Sequence, residues 1–234
     1  MIMADIDFKT FEQKAGVTFD DPSLLKQAFT HRSYINENKA SKLAHNERLE
    51  FLGDAVLELV VTDFLFVRYP DKPEGELTTY RSALVNAVTL SEVASNLDMN
   101  DYLLLSRGES KDVGRARQFI LANTIEAVIG AIYLDKGYDE AEDFINRHIL
   151  RFADKMIARG NLVDAKSAFQ EKAQQHEGIT PSYKLIRDSG PDHDKSFTVG
   201  VYIGKEKVGE GEGKSKQEAE QNAAQRAIEA KGWA

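Results

Sequence analysis

The chain has 234 residues, 42% of them hydrophobic and 29% charged, which suffices for one large domain or two ordinary ones. Cysteine is absent, and this excludes disulfides, thiol catalysis and cysteine-ligated zinc sites. The formal net charge of −8 resides mainly in residues 1–160, which carry 19 basic and 26 acidic side chains. Net charge of this kind does not exclude a local binding surface for a polyanion.

No continuous apolar run is long enough for a transmembrane helix. The acidic start of the chain also lacks the basic-then-apolar layout of a signal peptide. We therefore expect a cytoplasmic protein with no membrane partner.

Residues 8–157 favour helices almost throughout. Asp21-Pro22 is a typical helix start, with an acidic cap before a proline at the first helical position. The spacing of apolar residues predicts that this helix covers about 23–30 and that others lie at about 46–68, 75–96, 115–135 and 139–158.

The hydrophobic period changes after a predicted linker at 158–163. A helix is expected from about 164 to 175, and alternating patterns predict strands at 182–187, 197–203 and 206–211. Ser215 and Glu218 form a capping box that opens a last, alanine-rich helix to about 230. The predicted fold class is α+β: an all-α domain over residues 1–157, then a small α-β-β-β-α domain over residues 164–234.

A ten-residue stretch, His-Asn-Glu-Arg-Leu-Glu-Phe-Leu-Gly-Asp at 45–54, opens the helix predicted at 46–68. Its acids Glu47, Glu50 and Asp54 are spaced i, i+3 and i+7, so they share one helix stripe. Like charges at this spacing destabilise a helix by a few tenths of a kcal/mol per pair, roughly. A hard divalent cation with oxygen ligands would relieve that repulsion.

A second polar pair lies on the apolar helix predicted at 115–135. Asn123 and Glu126 are spaced i, i+3. Gly130 on this helix and Gly53 on the acidic helix each cost roughly 1 kcal/mol relative to alanine. Close packing of the two helices would offset that cost and bring their acidic stripes together around one cation.

The acids also have a purely structural interpretation. They could be solvated, or they could pair with arginines such as Arg48 and Arg81. Spacing alone leaves both interpretations open.

Two further motifs are weaker indications of function. The segment Gly-Glu-Gly-Glu-Gly-Lys-Ser at 209–215 resembles a phosphate-binding loop, but Val208 stands where that motif requires its first glycine. His31 could be imagined as a general base, although a histidine after an apolar helix is more often structural.

The stretch 45–54 resembles the signature of the ribonuclease III family, endonucleases specific for double-stranded RNA. Residues 164–230 are similar to a double-stranded-RNA-binding domain. Supporting motifs follow in order along almost the whole chain, at 29–34, 74–78, 81–85, 104–109, 120–135, 166–171, 181–183 and 213–216.

The resemblance implies a homodimeric, Mg²⁺-dependent nuclease, in which Mn²⁺ can replace Mg²⁺. Glu50, Asn123 and Glu126 correspond to metal-site positions, and Asp54 and Glu126 to catalytic ones. The expected products carry 5′-phosphate and 3′-hydroxyl ends, and ribosomal RNA precursors are expected substrates. The dimer is expected to form through the all-α domain.

Asn123 departs from the commonest family pattern, which has aspartate there. It could be a natural variant whose carbonyl oxygen still serves the metal, or a substitution that weakens metal binding and traps substrate. The chain could also bind RNA without cutting it. Intact carboxylates at the other three positions favour activity.

In the second domain, the resemblance assigns RNA contacts to the first helix, to a loop, and to the start of the last helix. Gln217 and Glu220 stand where strong binders often carry lysine, so affinity is expected to be modest and salt-sensitive. The expected contact residues are Gln170, Glu171, Gln174, His193, Lys214, Ser215 and Lys216.

The sequence therefore allows three functions. The first is an endoribonuclease for double-stranded RNA, and the second is a non-catalytic or substrate-trapping double-stranded-RNA-binding protein. A third, a metal-dependent hydrolase of small phosphorylated molecules, is disfavoured by the RNA-binding domain.

Overall fold

A computed structural model describes residues 6–111, 113–155, 157, 165–190 and 195–233. Its contacts divide the chain into an N-terminal unit, residues 1–156, and a C-terminal unit, residues 157–234. The predicted linker at 158–163 lies outside the described residues. The predicted α+β class is confirmed, because the N-terminal unit is helical and the C-terminal unit combines helices with a three-stranded sheet.

The described part of the N-terminal unit is built from α-helices joined by short turns. Three 3₁₀ turns lie at Met99–Tyr102, Glu109–Lys111 and Leu150–Phe152. The helices are α1 (Lys9–Ala15), α2 (Pro22–Ala28), α3 (Arg32–Glu37), α4 (Glu47–Arg68), α5 (Glu74–Val85), α6 (Ala87–Asn96), α7 (Arg115–Lys136) and α8 (Tyr138–His148).

Helix α7 forms the centre of this unit. It is apolar on nearly every side, and residues such as Ile125, Ile129 and Ile132 are fully buried. By length and composition alone it could cross a membrane, but 61% of its most apolar window is buried inside the structure. This burial is the pattern of a core helix, and α4 packs along it.

The single helix predicted at 75–96 is wrong, because the chain breaks at Asn86. This residue is extended, with ψ of 158°, and ends α5. Its Nδ2 donates to the Ser82 carbonyl at 2.9 Å, and its Oδ1 accepts from the Thr89 amide at 2.9 Å. One side chain thus closes α5 and caps α6. The helix predicted at 139–158 is interrupted: α8 ends at His148, a 3₁₀ turn follows at Leu150–Phe152, and residues 153–155 and 157 are helical again.

The C-terminal unit has the predicted α-β-β-β-α order. Its strands form an antiparallel sheet in the order β1-β2-β3. The elements are α9 (Ala165–Glu177), β1 (Ser182–Ser189), β2 (Ser196–Ile203), β3 (Glu206–Gly213) and α10 (Lys216–Lys231).

The glycines of β3 allow α10 to pack directly on the sheet. A Cβ added at Gly211 would lie 2.2 Å from the Ala223 amide nitrogen, and one added at Gly209 would lie 2.5 Å from the Ala223 carbonyl oxygen. The glycine pattern at 209–213 therefore serves helix–strand contact. This confirms that the segment is not a phosphate-binding loop.

Candidate active site and RNA-contact surfaces

Helices α4 and α7 meet backbone to backbone. A Cβ added at Gly53 would lie 1.7 Å from the Glu126 carbonyl oxygen, and one added at Gly130 would lie 2.2 Å from the Leu49 carbonyl oxygen. The close packing expected from the two glycines is therefore present. It brings the acidic stripe of α4 to the polar pair of α7.

The acids at this crossing interact strongly. Burial raises the pKa of the Glu126 carboxyl to about 8, and the negative charges of Asp54 and Glu50 act in the same direction. Burial also raises the pKa of Glu50, and the charge of Glu47 adds to this. The side chain of Asn123 opposes the shift through a hydrogen bond to the Glu50 carboxylate. The site thus gathers carboxylates whose simultaneous ionisation is costly.

Asp54 and Glu47 occupy more open positions on α4. Asp54 is exposed. Glu47 lies 3.5 Å from Arg32 Nη1 and 3.6 Å from His45 Nδ1. Glu47 therefore has Arg32 as a cationic neighbour at the edge of the site.

Arg32 pairs with Glu47, but among the described residues no arginine forms an ion pair with Glu50, Asp54 or Glu126. Arg81 instead donates from Nη1 to Thr62 Oγ1 at 3.1 Å. Among the described residues, no three Asp, Glu or His side chains form a group that could hold a metal ion by themselves. A cation at the crossing would thus need further oxygen donors, and the Asn123 amide, water and a phosphate could supply them.

Asn46 positions the start of α4. It is buried, and although it stands at the helix N-cap, its side chain does not cap the helix. Its Nδ2 donates to the Ala28 carbonyl at 3.1 Å, and its backbone N–H donates to the Thr30 carbonyl at 2.9 Å. Sequence alone did not reveal this role, because an asparagine at a helix start is expected to cap.

His31 has a structural role. It is the N-cap of α3, where its Nδ1 accepts from the Ser33 amide at 3.3 Å, and its own amide donates to the Leu104 carbonyl at 3.0 Å. Burial lowers its pKa, which favours the neutral ring that this cap requires.

The residues expected to contact RNA on α9 share one solvent-facing stripe. Gln170, Glu171 and Gln174 are all exposed, while Phe169 and Ala173 on the opposite side are fully buried. The helix therefore presents a polar face of amide and carboxylate groups. His193 lies outside the described residues.

The second expected contact surface is the start of α10. Lys214, Ser215 and Lys216 are all exposed there. Ser215 Oγ accepts from the Glu218 amide at 3.1 Å, and Glu218 Oε2 accepts from the Lys214 amide at 2.7 Å. Ser215 caps the helix as the sequence predicts, but the Glu218 carboxylate bonds to the Lys214 amide rather than to the amide of the N-cap residue. The segment presents two lysines at a helix N-terminus.

Glu220 does not act as an isolated negative charge beside this surface. Its Oε2 lies 2.6 Å from Lys166 Nζ, which joins α10 to the first turn of α9. The backbone N–H of Lys166 also donates to Gln221 Oε1 at 2.8 Å. Glu220 is thus part of the scaffold between the two helices, whereas Gln217 is exposed.

Family comparisons assign each unit separately. The family described as "Ribonuclease-III-like" matches residues 21–152. The family described as "Double-stranded RNA binding motif" matches residues 165–231.

Similar proteins cover nearly the whole chain. "Ribonuclease 3" of Natranaerobius thermophilus is 47% identical over 220 residues, which are 93% of this chain and 94% of that protein. "Ribonuclease 3" of Oceanobacillus iheyensis is 43% identical over 226 residues, covering 96% of this chain and 98% of the relative. A solved nuclease domain of ribonuclease III from Campylobacter jejuni is similar with a TM-score of 0.57 and 39% identity, covering 62% of this chain and 97% of that domain. With this coverage, and with the acidic crossing and the RNA-binding fold in one chain, the protein belongs to the ribonuclease III family of double-stranded-RNA endoribonucleases.

Proposed function

We propose that Glu50, Asp54, Asn123 and Glu126 form the catalytic centre at which this endoribonuclease hydrolyses the phosphodiester bonds of double-stranded RNA. The observation that carries the proposal is the Glu126 carboxyl, partly buried near two other carboxylates with its pKa raised to about 8. Strongly perturbed acids of this kind are typical of functional sites. Each cut is expected to leave a 5′-phosphate and a 3′-hydroxyl.

A nuclease of this family depends on a divalent metal, and we propose Mg²⁺, with Mn²⁺ as a substitute. Glu50 and Glu126 would each provide a carboxylate oxygen, and Asn123 would provide its amide oxygen. One or two carboxylates completed by water and substrate phosphate is a usual environment for Mg²⁺. When bound, the cation would polarise the scissile phosphate and neutralise charge on the leaving oxygen.

Asp54 would act on the attacking water. It follows Glu50 by four residues on α4, so the two side chains are neighbours on the helix surface, and the exposed carboxylate can accept a hydrogen bond from solvent. Glu126 would serve both as a ligand and in catalysis, since the charges of Glu50 and Asp54 both act on it.

The amide at Asn123 favours a second candidate, a protein that binds double-stranded RNA and cuts it poorly. Its hydrogen bond to Glu50 orients the amide, so the nitrogen faces Glu50 and the oxygen remains available as a ligand. Compared with aspartate, the site loses one negative charge. This should weaken metal affinity while preserving an oxygen donor.

The deciding experiment incubates the full chain with long duplex RNA, in Mg²⁺ and in EDTA, beside Asn123→Asp and Glu126→Gln. We expect cleavage in Mg²⁺ only, with a rate at least about 100-fold lower for Glu126→Gln. Cleavage by Asn123→Asp alone would establish the second candidate. If neither the unaltered chain nor Asn123→Asp cleaves, the enzyme proposal is wrong.

For the C-terminal unit, we propose that Gln170, Glu171 and Gln174 face a minor groove and its 2′-hydroxyls. Lys214, Ser215 and Lys216 would meet phosphates across the intervening major groove, and His193 would reach the neighbouring minor groove. Domains of this type read A-form shape over about 16 base pairs. Lys216→Ala should therefore weaken binding to all duplexes alike. It should also reduce the slope of log affinity against log salt concentration by about one.

We also propose that two copies associate through α4 of the N-terminal unit. Phe51, Leu59 and Phe66 form an apolar stripe on this helix, and they are 81%, 57% and 71% exposed. Large solvated apolar residues on one helix face are typical of an interface. The nuclease domain of the Campylobacter jejuni enzyme has structural flexibility in the region involved in its dimer formation. Light scattering should report a dimer for the unaltered chain and a monomer for Phe51→Asp.

As physiological substrates we propose structured cytoplasmic transcripts, ribosomal RNA precursors among them. The support is the family and an RNA-binding fold that reads duplex shape with little sequence preference. Cells depleted of this protein should accumulate unprocessed precursor RNAs. Unchanged precursor levels would contradict the assignment.

A further inference from the structure

The segment that follows α10 folds back onto α9. Gly232 is in the left-handed region, with φ of 66°, and ends α10. The Trp233 amide then donates to the Ile228 carbonyl at 3.0 Å. This hydrogen bond turns the tryptophan away from the axis of α10 and towards the neighbouring helix.

Trp233 makes several contacts with α9. Its ring stacks on His176, with centroids 4.9 Å apart and an interplanar angle of 15°, and on Phe169, at 5.7 Å and 26°. Its carbonyl oxygen accepts from Lys172 Nζ. Lys231 reinforces the contact through an ion pair with Glu177, with Nζ and Oε1 2.9 Å apart.

These contacts all lie on one side of α9. Phe169, Lys172 and His176 follow at spacings of three and four residues, so they form one stripe of the helix. Gln170 and Gln174 lie on the neighbouring, exposed stripe. Trp233 therefore packs on the stripe of α9 beside the one that carries the proposed RNA contacts.

We propose that Trp233 is a positioning residue for RNA binding: by clamping the C-terminal half of α9, it fixes the orientation of the RNA-contact stripe before RNA arrives. An isolated helix as short as α9 is marginally stable in water, so its packing determines how well it is ordered. A helix already ordered loses less conformational entropy when it binds. The inference rests on the proposed RNA-contact role of α9.

The test measures the dissociation constant of the full chain for a duplex RNA in EDTA, so that cleavage does not interfere. Trp233→Ala should weaken binding about threefold to tenfold, as expected for the loss of stacked aromatic pairs. Trp233→Phe keeps an aromatic ring on His176 and should retain most of the affinity. In Mg²⁺, Trp233→Ala should raise KM for cleavage and leave kcat unchanged.

Val208→Ala is the matched control for general loss of stability. Val208 lies on β3 and packs against the same core. Amide hydrogen exchange should rise selectively in α9 for Trp233→Ala, but not for Val208→Ala. Equal losses of affinity in the two variants, or unchanged affinity of Trp233→Ala, would overturn the positioning role.

A triple variant, Trp233→Ala combined with Gln170→Ala and Gln174→Ala, separates this inference from the function on which it rests. If Trp233 acts through α9, its effect should shrink when Gln170→Ala and Gln174→Ala are already present. Full additivity would overturn the positioning role. If the two glutamine substitutions alone leave affinity unchanged, the RNA-contact role of α9 is wrong and the positioning role falls with it. If the variant with both glutamines replaced binds weakly while Trp233→Ala binds normally, only the positioning role is wrong.

Discussion

The crossing of α4 and α7 in the N-terminal unit and the contact of β3 with α10 in the C-terminal unit both depend on glycine. At each contact, an added Cβ would lie within about 2.2 Å of a backbone atom of the facing element, at Gly53 and Gly130 in one case and Gly211 in the other. Such distances are far inside van der Waals contact, so no other residue fits without backbone movement.

The electrostatic surroundings of the two contacts differ. At the first, burial and the charges of Asp54 and Glu50 raise the pKa of Glu126, and burial and the charge of Glu47 raise the pKa of Glu50. In the second unit, Glu220 has Lys166 as its counter-ion. The proposed catalytic centre thus keeps a local conflict that a cation and substrate would resolve, whereas the Glu220 charge in the scaffold of the second unit is already paired.

Gly53→Ala tests the first contact and should have the largest effect. The new methyl group would meet the Glu126 carbonyl oxygen at 1.7 Å, so the helices must separate. We expect a loss of about 3 kcal/mol in unfolding free energy, despite a gain of roughly 1 kcal/mol in helix propensity. Urea unfolding followed by circular dichroism measures it.

Gly75→Ala is the matched control, since Gly75 lies in α5 and a Cβ there meets nothing within 4 Å. It should be neutral or stabilise by up to about 1 kcal/mol. Equal destabilisation by the two substitutions would show that the helix crossing is not the cause.

Gly211→Ala tests the second contact, with a slightly smaller expected effect of about 2 kcal/mol. A Cβ there would lie 2.2 Å from the Ala223 amide nitrogen, so α10 must move off the sheet. RNA affinity should fall while the unfolding transition of the N-terminal unit stays unchanged. If Gly211→Ala shifted the unfolding transitions of both units, the two glycine contacts would not stabilise their units independently.

Much of this architecture follows from periodicity and capping. The predicted strands differ from the observed ones by no more than two residues at either end, and Ser215 caps α10 as predicted. The glycine pair correctly predicted the contact of α4 with α7, because a helix-interior glycine has a cost that close packing can offset.

Other features depend on contacts that periodicity does not contain. The break at Asn86 arises because its side chain bonds to backbone groups on both sides, and the helix spacing continues across it. Asn46 and Glu220 find partners 18 and 54 residues away in sequence. Such long-range pairs are invisible in a single sequence, and so the roles of these residues emerge only in the fold.

Asp135→Asn tests how firmly the core helix α7 holds its neighbours. The Asp135 carboxylate is only 4% exposed and accepts from the Asp20 and Asp21 amides at 2.7 and 2.9 Å. Asparagine would lose one acceptor and present an N–H to a backbone donor, so we expect a cost of about 1.5 kcal/mol. The control is Asp20→Asn, at a side chain that is 82% exposed, where thermal unfolding should change little.

The pH dependence of stability tests the charge conflict itself. The pKa of Glu126 is raised from 4.5 to about 8 by burial and by the charges of Asp54 and Glu50, so between these values the folded state retains a proton that the unfolded state has released. Stability from this group must therefore fall as pH rises through that window.

Two histidines change stability in the opposite direction. Because burial lowers the pKa of His31 and His148, they make stability rise with pH below the ordinary histidine pKa, and only a comparison of variants isolates Glu126. In EDTA, Glu126→Gln should lose less stability than the unaltered chain between about pH 5 and pH 8, whereas Glu58→Gln at an exposed position of α4 should not differ from it. Parallel profiles for all three proteins would show that the carboxylates do not conflict, and that the electrostatic contrast between the two units is wrong.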